Sequence, residues 1–80
     1  MKVTILAFGI IKDIFGTRQI ELEIPAAFTI SELRMLLNKQ YPGLTKLSSF
    51  LVALNNEYAE QQQIITHSDE IAIIPPVSGG

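Results

Sequence analysis

No cysteine occurs among the 80 residues, which excludes disulfide stapling and thiolate metal sites and is compatible with a reducing compartment. The single histidine, His67, lies in a polar turn sequence, and one histidine without cysteine does not assemble a metal site. Six basic and eight acidic residues are scattered instead of clustered, which argues against nucleic acid and anionic membranes as partners. No apolar run approaches the roughly 20 residues that span a bilayer. Met1-Lys2-Val3-Thr4 leads straight into strand pattern, so no signal peptide is expected and the expected location is cytoplasmic. Phosphate-cradling glycine loops are absent as well. Asp69 and Glu70 do not form an acid/base pair, because neighbours on a strand point to opposite faces.

What is present is apolar. A 48% hydrophobic share against 18% charged excludes a disordered chain and leaves apolar surface over for a partner. The length fits one domain over residues 1–80. Lys2 to Phe8 reads as a strand with Val3, Ile5 and Ala7 on one face and Thr4, Leu6 and Phe8 on the other. Ile10, Ile11, Ile14 and Phe15 are spaced for one or two helical turns, stopped at Gly16. Ile20 to Ile24 alternates strictly, as expected of a strand with one wet face near a sheet edge.

The clearest local signal is Thr29 followed three residues on by Glu32, a capping box, with Phe28 and Leu33 placed as a hydrophobic staple. Ile30, Leu33, Leu37 and Tyr41 continue one face of that helix until Pro42-Gly43 ends it. Phe50 to Leu54 reads as an apolar strand, Asn55-Asn56 as a tight hairpin turn, and Glu57-Tyr58-Ala59 as the way out. After a turn at His67-Ser68-Asp69, Glu70 to Ile74 is the last strand. Two strands, a helix and two strands, with a short extra helix after the first, fit an α+β fold: a β-grasp mixed sheet packed on one main helix. There the first and last strands lie parallel and central, which puts Phe8 and Ile74 at the same end. With Val3, Ile5, Ile71 and Ile73 toward the helix, Leu6, Phe8, Ala72 and Ile74 form an apolar patch on the other face. Either this patch is a docking surface or the short helix, or a loop, covers it.

Beyond the last strand run Pro75, Pro76, Val77, Ser78, Gly79 and Gly80. The prolines stop the strand and hold an extended φ, so that the tail projects. The two glycines carry no Cβ and suit a narrow passage. Fully extended, residues 75–80 span roughly 20 Å. Ser78 has no histidine partner in the pattern and is read as small and flexible, not nucleophilic.

This ending, with Asp69-Glu70-Ile71-Ala72-Ile73-Ile74 before it, resembles that of the MoaD family, the small sulfur-carrier subunit of molybdopterin synthase. Phe8 with Lys12-Asp13 and Gly16, and Ala53-Leu54-Asn55-Asn56-Glu57, extend the likeness over nearly the whole chain. Lys12-Asp13 stands where the family more often has Arg-Glu, and Ser68 where a turn glycine commonly precedes Asp-Glu.

The resemblance implies a carrier and not a catalyst, with no permanently bound cofactor. A MoeB-like enzyme, using ATP, would adenylate the Gly80 carboxylate, and a sulfur donor would convert it to a thiocarboxylate. The tail would then enter a large, MoaE-like subunit and give sulfur to cyclic pyranopterin monophosphate, the catalytic residues lying on that subunit. Phe8, Tyr58 and Ile74, with Leu6 and Lys12, would form the partner interface. Two other readings share the terminal glycine: a sulfur carrier for thiazole or another pathway, and a ubiquitin-like modifier joined to lysines through Gly80.

Overall fold

The computed structural model describes residues 1–47 and 49–76. Strands β1 (Lys2–Ala7), β2 (Gln19–Glu23), β3 (Leu51–Leu54), β4 (Glu57–Tyr58) and β5 (Ile71–Ile74) form one sheet in the order β2-β1-β5-β3-β4. β1 and β5 are parallel neighbours, Ile5 beside Ile71 and Ala7 beside Ile73. Every other pairing is antiparallel. The β-grasp expectation therefore holds, with β2 at one edge.

Strand alternation sorts the side chains. Val3, Ile5, Ala7, Val52, Leu54, Ile71 and Ile73 are buried in one core with Ile30, Leu33 and Leu37 of helix α2 (Ile30–Gln40). The N-terminus of α2 is fully satisfied. Thr29 N donates to Glu32 Oε1 (2.9 Å) and Glu32 N donates back to Thr29 Oγ1 (3.2 Å). Ile30 N and Ser31 N donate to the carbonyls of Gln63 and Gln61, at 3.0 and 2.9 Å. All four orphan amides of the helix start thus have partners, and the long segment before β5 is tied to the helix by the same bonds.

Pro42 ends α2 and opens a 3₁₀ turn, Pro42–Lys46, which buries Leu44. Helix α1 (Ile10–Phe15) ends on Gly16, whose left-handed φ of 80° suits glycine. Its Ile11 and Phe15 join the core, and the Phe15 and Tyr41 rings lie 4.5 Å apart between centroids. That contact fixes α1 on the same side of the sheet as α2. The alternative in which α1 shields the opposite face is excluded.

Some boundaries move by a residue. β3 begins at Leu51 and not Phe50, whose carbonyl accepts a 2.7 Å bond from Arg34 Nη1 instead of a ladder amide. β5 begins at Ile71. The hairpin exit is a strand in its own right, two residues long, which makes five strands where the sequence reading had four.

Candidate docking face and tail exit

The face away from the helices is built by register. Leu6 pairs with Ala72, Ala72 with Ala53, and Ala53 with Tyr58, so these four side chains form one row across β1, β5, β3 and β4. Large residues stand at the ends of the row and alanines in the middle. The row is consequently concave, a hollow of about 360 Å³ lined by Leu6, Phe8, Ala53, Tyr58, Ala72 and Ile74, with Asn56 and Glu70 on its polar rim. Phe8 is 50% exposed and Tyr58 69% exposed, so the fold encloses neither ring. Ala72 was expected in this patch, but Ala53 beside it was passed over, because only the register of β3 against β5 brings the two together at the floor.

Lys12 lies beside this hollow and not in it. It lines an adjoining groove of about 760 Å³ with Thr17 and Arg18, and that groove shares Leu6 and Phe8 with the hollow. Phe8 is thus the divide between an apolar surface and a basic one. Arg18 was not foreseen; it reaches this place because its carbonyl accepts from Ala7 N (2.8 Å), which pins the strand-entry loop against β1.

The rim is held by a hydrogen-bonded clasp. Asn55 and Asn56 adopt left-handed φ values of 54° and 70°, as the tight turn requires. Asn55 Nδ2 donates to Asp69 Oδ1 (2.9 Å), Glu70 N donates to Asn55 Oδ1 (2.9 Å), and Thr66 N donates to Asp69 Oδ2 (2.8 Å). The Thr66 amide first, and then the Asn55 side chain, hold the Asp69 carboxyl below its ordinary value of 3.8. Asp69 thus joins the β3–β4 hairpin, which carries Tyr58, to the start of β5, which carries Ala72. Glu70 is left as rim charge. His67 is exposed, and among the described residues no three His, Asp or Glu side chains cluster as metal ligands would. None of the helices described is long and apolar enough to cross a membrane.

Pro75 and Pro76 follow β5 at the end of the sheet where Phe8 follows β1, and both are half-buried. Pro75 packs on Gly9, a residue that sequence reasoning did not single out. Val77, Ser78, Gly79 and Gly80 lie outside the described residues.

Against known proteins, the chain is 35% identical over 81 residues to the molybdopterin synthase sulfur carrier subunit of Arabidopsis thaliana, a match covering 100% of this chain and 84% of that one. Its fold matches the protein-protein complex of subunits 1 and 2 of molybdopterin-converting factor from Helicobacter pylori 26695 with a TM-score of 0.70 and 28% identity, over 100% of both chains. The H. volcanii small archaeal modifier protein 1 shares the fold at a TM-score of 0.81, with 20% identity over 95% of this chain and 98% of that one. The profile of the ThiS family matches residues 5–80, all but the first four residues, and the chain accordingly belongs to the ThiS/MoaD family of β-grasp proteins.

Proposed function

We propose that this protein is the sulfur-carrier subunit of a molybdopterin synthase. A MoeB-like enzyme adenylates the Gly80 carboxylate with ATP, releasing pyrophosphate. A sulfur donor at the sulfide level then attacks the acyl carbon, AMP departs with the C–O electron pair, and a thiocarboxylate remains. A carboxylate is a poor electrophile until its oxygen becomes a leaving group, and adenylation achieves this with no side chain of this protein. The tail from Pro75 through Gly79 carries the thiocarboxylate into a large, MoaE-like subunit, where it gives sulfur to cyclic pyranopterin monophosphate. ATP is consumed on the activating enzyme, so the carrier needs no cofactor of its own, and the residues that act on the pterin belong to the large subunit.

The observation that supports this most directly is placement. An apolar hollow lined by Leu6, Phe8, Tyr58 and Ile74, open among the described residues, lies at the end of the sheet from which Pro75-Pro76 lead away. Docking on the outer surface and chemistry at the end of a tail are thereby separated. Burial of Phe8, Tyr58 and Ile74 against the large subunit supplies up to about 1.5–3 kcal/mol apiece, offset in part by the entropy of association and of ordering the tail. Lys12, on the basic side of Phe8, contributes orientation more than affinity.

Intact mass after incubation with the activating enzyme, ATP and a sulfur donor is the test. One oxygen of the chain should be exchanged for sulfur, and deletion of Gly80 should abolish the exchange while the circular dichroism spectrum stays that of a folded domain. High-mass adducts on lysines in place of the exchange would identify a modifier. Sulfur uptake without binding of the large subunit would point to a carrier for thiazole or another pathway.

A further inference from the structure

We infer that Gly9 is the residue that aims the tail, a positioning role that rests on the sulfur-carrier reading and is distinct from docking. Two separate constraints meet at Gly9. Its backbone, at φ 56° and ψ −134°, lies in a region that is strained for any residue with a side chain. A Cβ placed on it would also fall 2.9 Å from Pro75 Cγ and 3.7 Å from Pro75 Cδ. Gly16 makes the contrast: its φ of 80° favours glycine, but a Cβ there would meet nothing within 4 Å. The space above Gly9 is filled by the first residue of the tail.

Both sides of this contact are anchored. Ala7 N is bonded to Arg18 O (2.8 Å), and Ile11 N and Lys12 N are bonded to the carbonyls of Phe8 and Gly9 (3.1 Å each), so the backbone around Gly9 has little freedom to yield. Ile74, immediately before Pro75, is paired with Leu51 in the ladder. A proline ring is fused to its own backbone and cannot swing aside as a long side chain does. Any atom added at Gly9 therefore displaces the backbone of residue 75 and turns the direction in which the chain leaves β5 through Pro76. The same contact offers the tail a fixed starting point, which lowers the entropy lost when it is threaded.

The experiment uses the protein with the large subunit from the same genome. The Gly80 thiocarboxylate is installed chemically, by thiolysis of a C-terminal thioester, so that activation plays no part. Gly9→Ala should bind the large subunit with a Kd within about threefold of wild type, yet transfer sulfur in a single turnover of the saturated complex about 10–100-fold more slowly, as expected for a misplaced reacting atom. Pro75→Gly, which removes the ring without straining Gly9, should also slow transfer. The double variant should be slower than Pro75→Gly by less than the factor that Gly9→Ala costs alone, because the shared contact is broken only once and only the backbone strain at residue 9 is added. Wild-type transfer by Gly9→Ala in the saturated complex, equal losses of affinity and rate, or multiplying effects in the double variant would each overturn the inference. If Gly9→Ala fails to fold, Pro75→Gly decides: transfer at the wild-type rate refutes the aiming role. A wild-type protein that gives up no sulfur refutes the carrier reading, and the aiming role with it.

Discussion

Two phenylalanines show how differently the two faces of the sheet are used. Phe50 is 3% exposed on the helix side, where the Arg34 guanidinium lies 4.3 Å above its ring and bonds its carbonyl. Phe8 is 50% exposed on the other side, beside a hollow floored by alanines. The residue type is the same, but only one of the two has been enclosed by the fold. Burying an aromatic ring stabilises a small domain substantially, so leaving Phe8, Tyr58 and Leu51 on the surface forgoes stability that a monomer would otherwise gain. A partner that closes over the hollow recovers it as binding energy. The helix face answers to folding, and the open face is the one left for the proposed association.

Stability separates the two faces most sharply. Phe50→Ala is expected to cost about 3–5 kcal/mol, through lost burial and the cavity left behind, and to strand the Arg34 guanidinium without its ring. Phe8→Ala should cost only about 0.8–1.5 kcal/mol, since half its surface is already in water. Urea unfolding of both variants measures the difference, and equal losses would show that Phe8 belongs to the core. The second contrast is in association. Phe8→Asp should weaken binding to the large subunit by about 10–100-fold, through lost burial of the exposed half of the ring and the cost of placing a carboxylate in an apolar hollow, with the fold retained. Titration calorimetry decides it, and unchanged affinity would remove the open face from the interface.

The sequence made the helix face legible because two periodicities converge on it. Ile30, Leu33 and Leu37 recur at helical spacing, Val3, Ile5, Ile71 and Ile73 alternate at strand spacing, and the Thr29–Glu32 box marks where one gives way to the other. The open face was legible in outline, because Leu6, Phe8, Ala72 and Ile74 are what alternation leaves over. Its shape was not. Concavity depends on Ala53 and Ala72 standing side by side, which is a matter of strand register between segments far apart in the chain. Arg18 and Gly9 were missed for a similar reason: each acts through a contact with another strand or with the tail. Likewise, Asp69 reads as turn charge until the pairing of β3 with β5 brings Asn55 to it.

That clasp gives the smallest expected effect and the finest test of whether the rim of the open face is organised before any partner arrives. The Asp69 carboxylate accepts from Thr66 N and Asn55 Nδ2, and its folded pKa is depressed below 3.8. A depressed carboxylate stabilises the folded state fully above its unfolded pKa, and this contribution is lost as pH falls through the folded value. The contribution of Asp69 to the unfolding free energy should therefore be constant near neutral pH and decline below about pH 4. Asp69→Asn should lower stability at neutral pH by less than about 1 kcal/mol, because solvent screens the site, and the gap between variant and wild type should close in acid. The same substitution should loosen the hairpin that carries Tyr58, raising amide exchange at Asn56 and Glu57 without affecting α2. Exchange that stays unchanged there, with stability curves that run parallel down to low pH, would show that Asp69 organises nothing, and that the concave rim is held by the strand ladder alone.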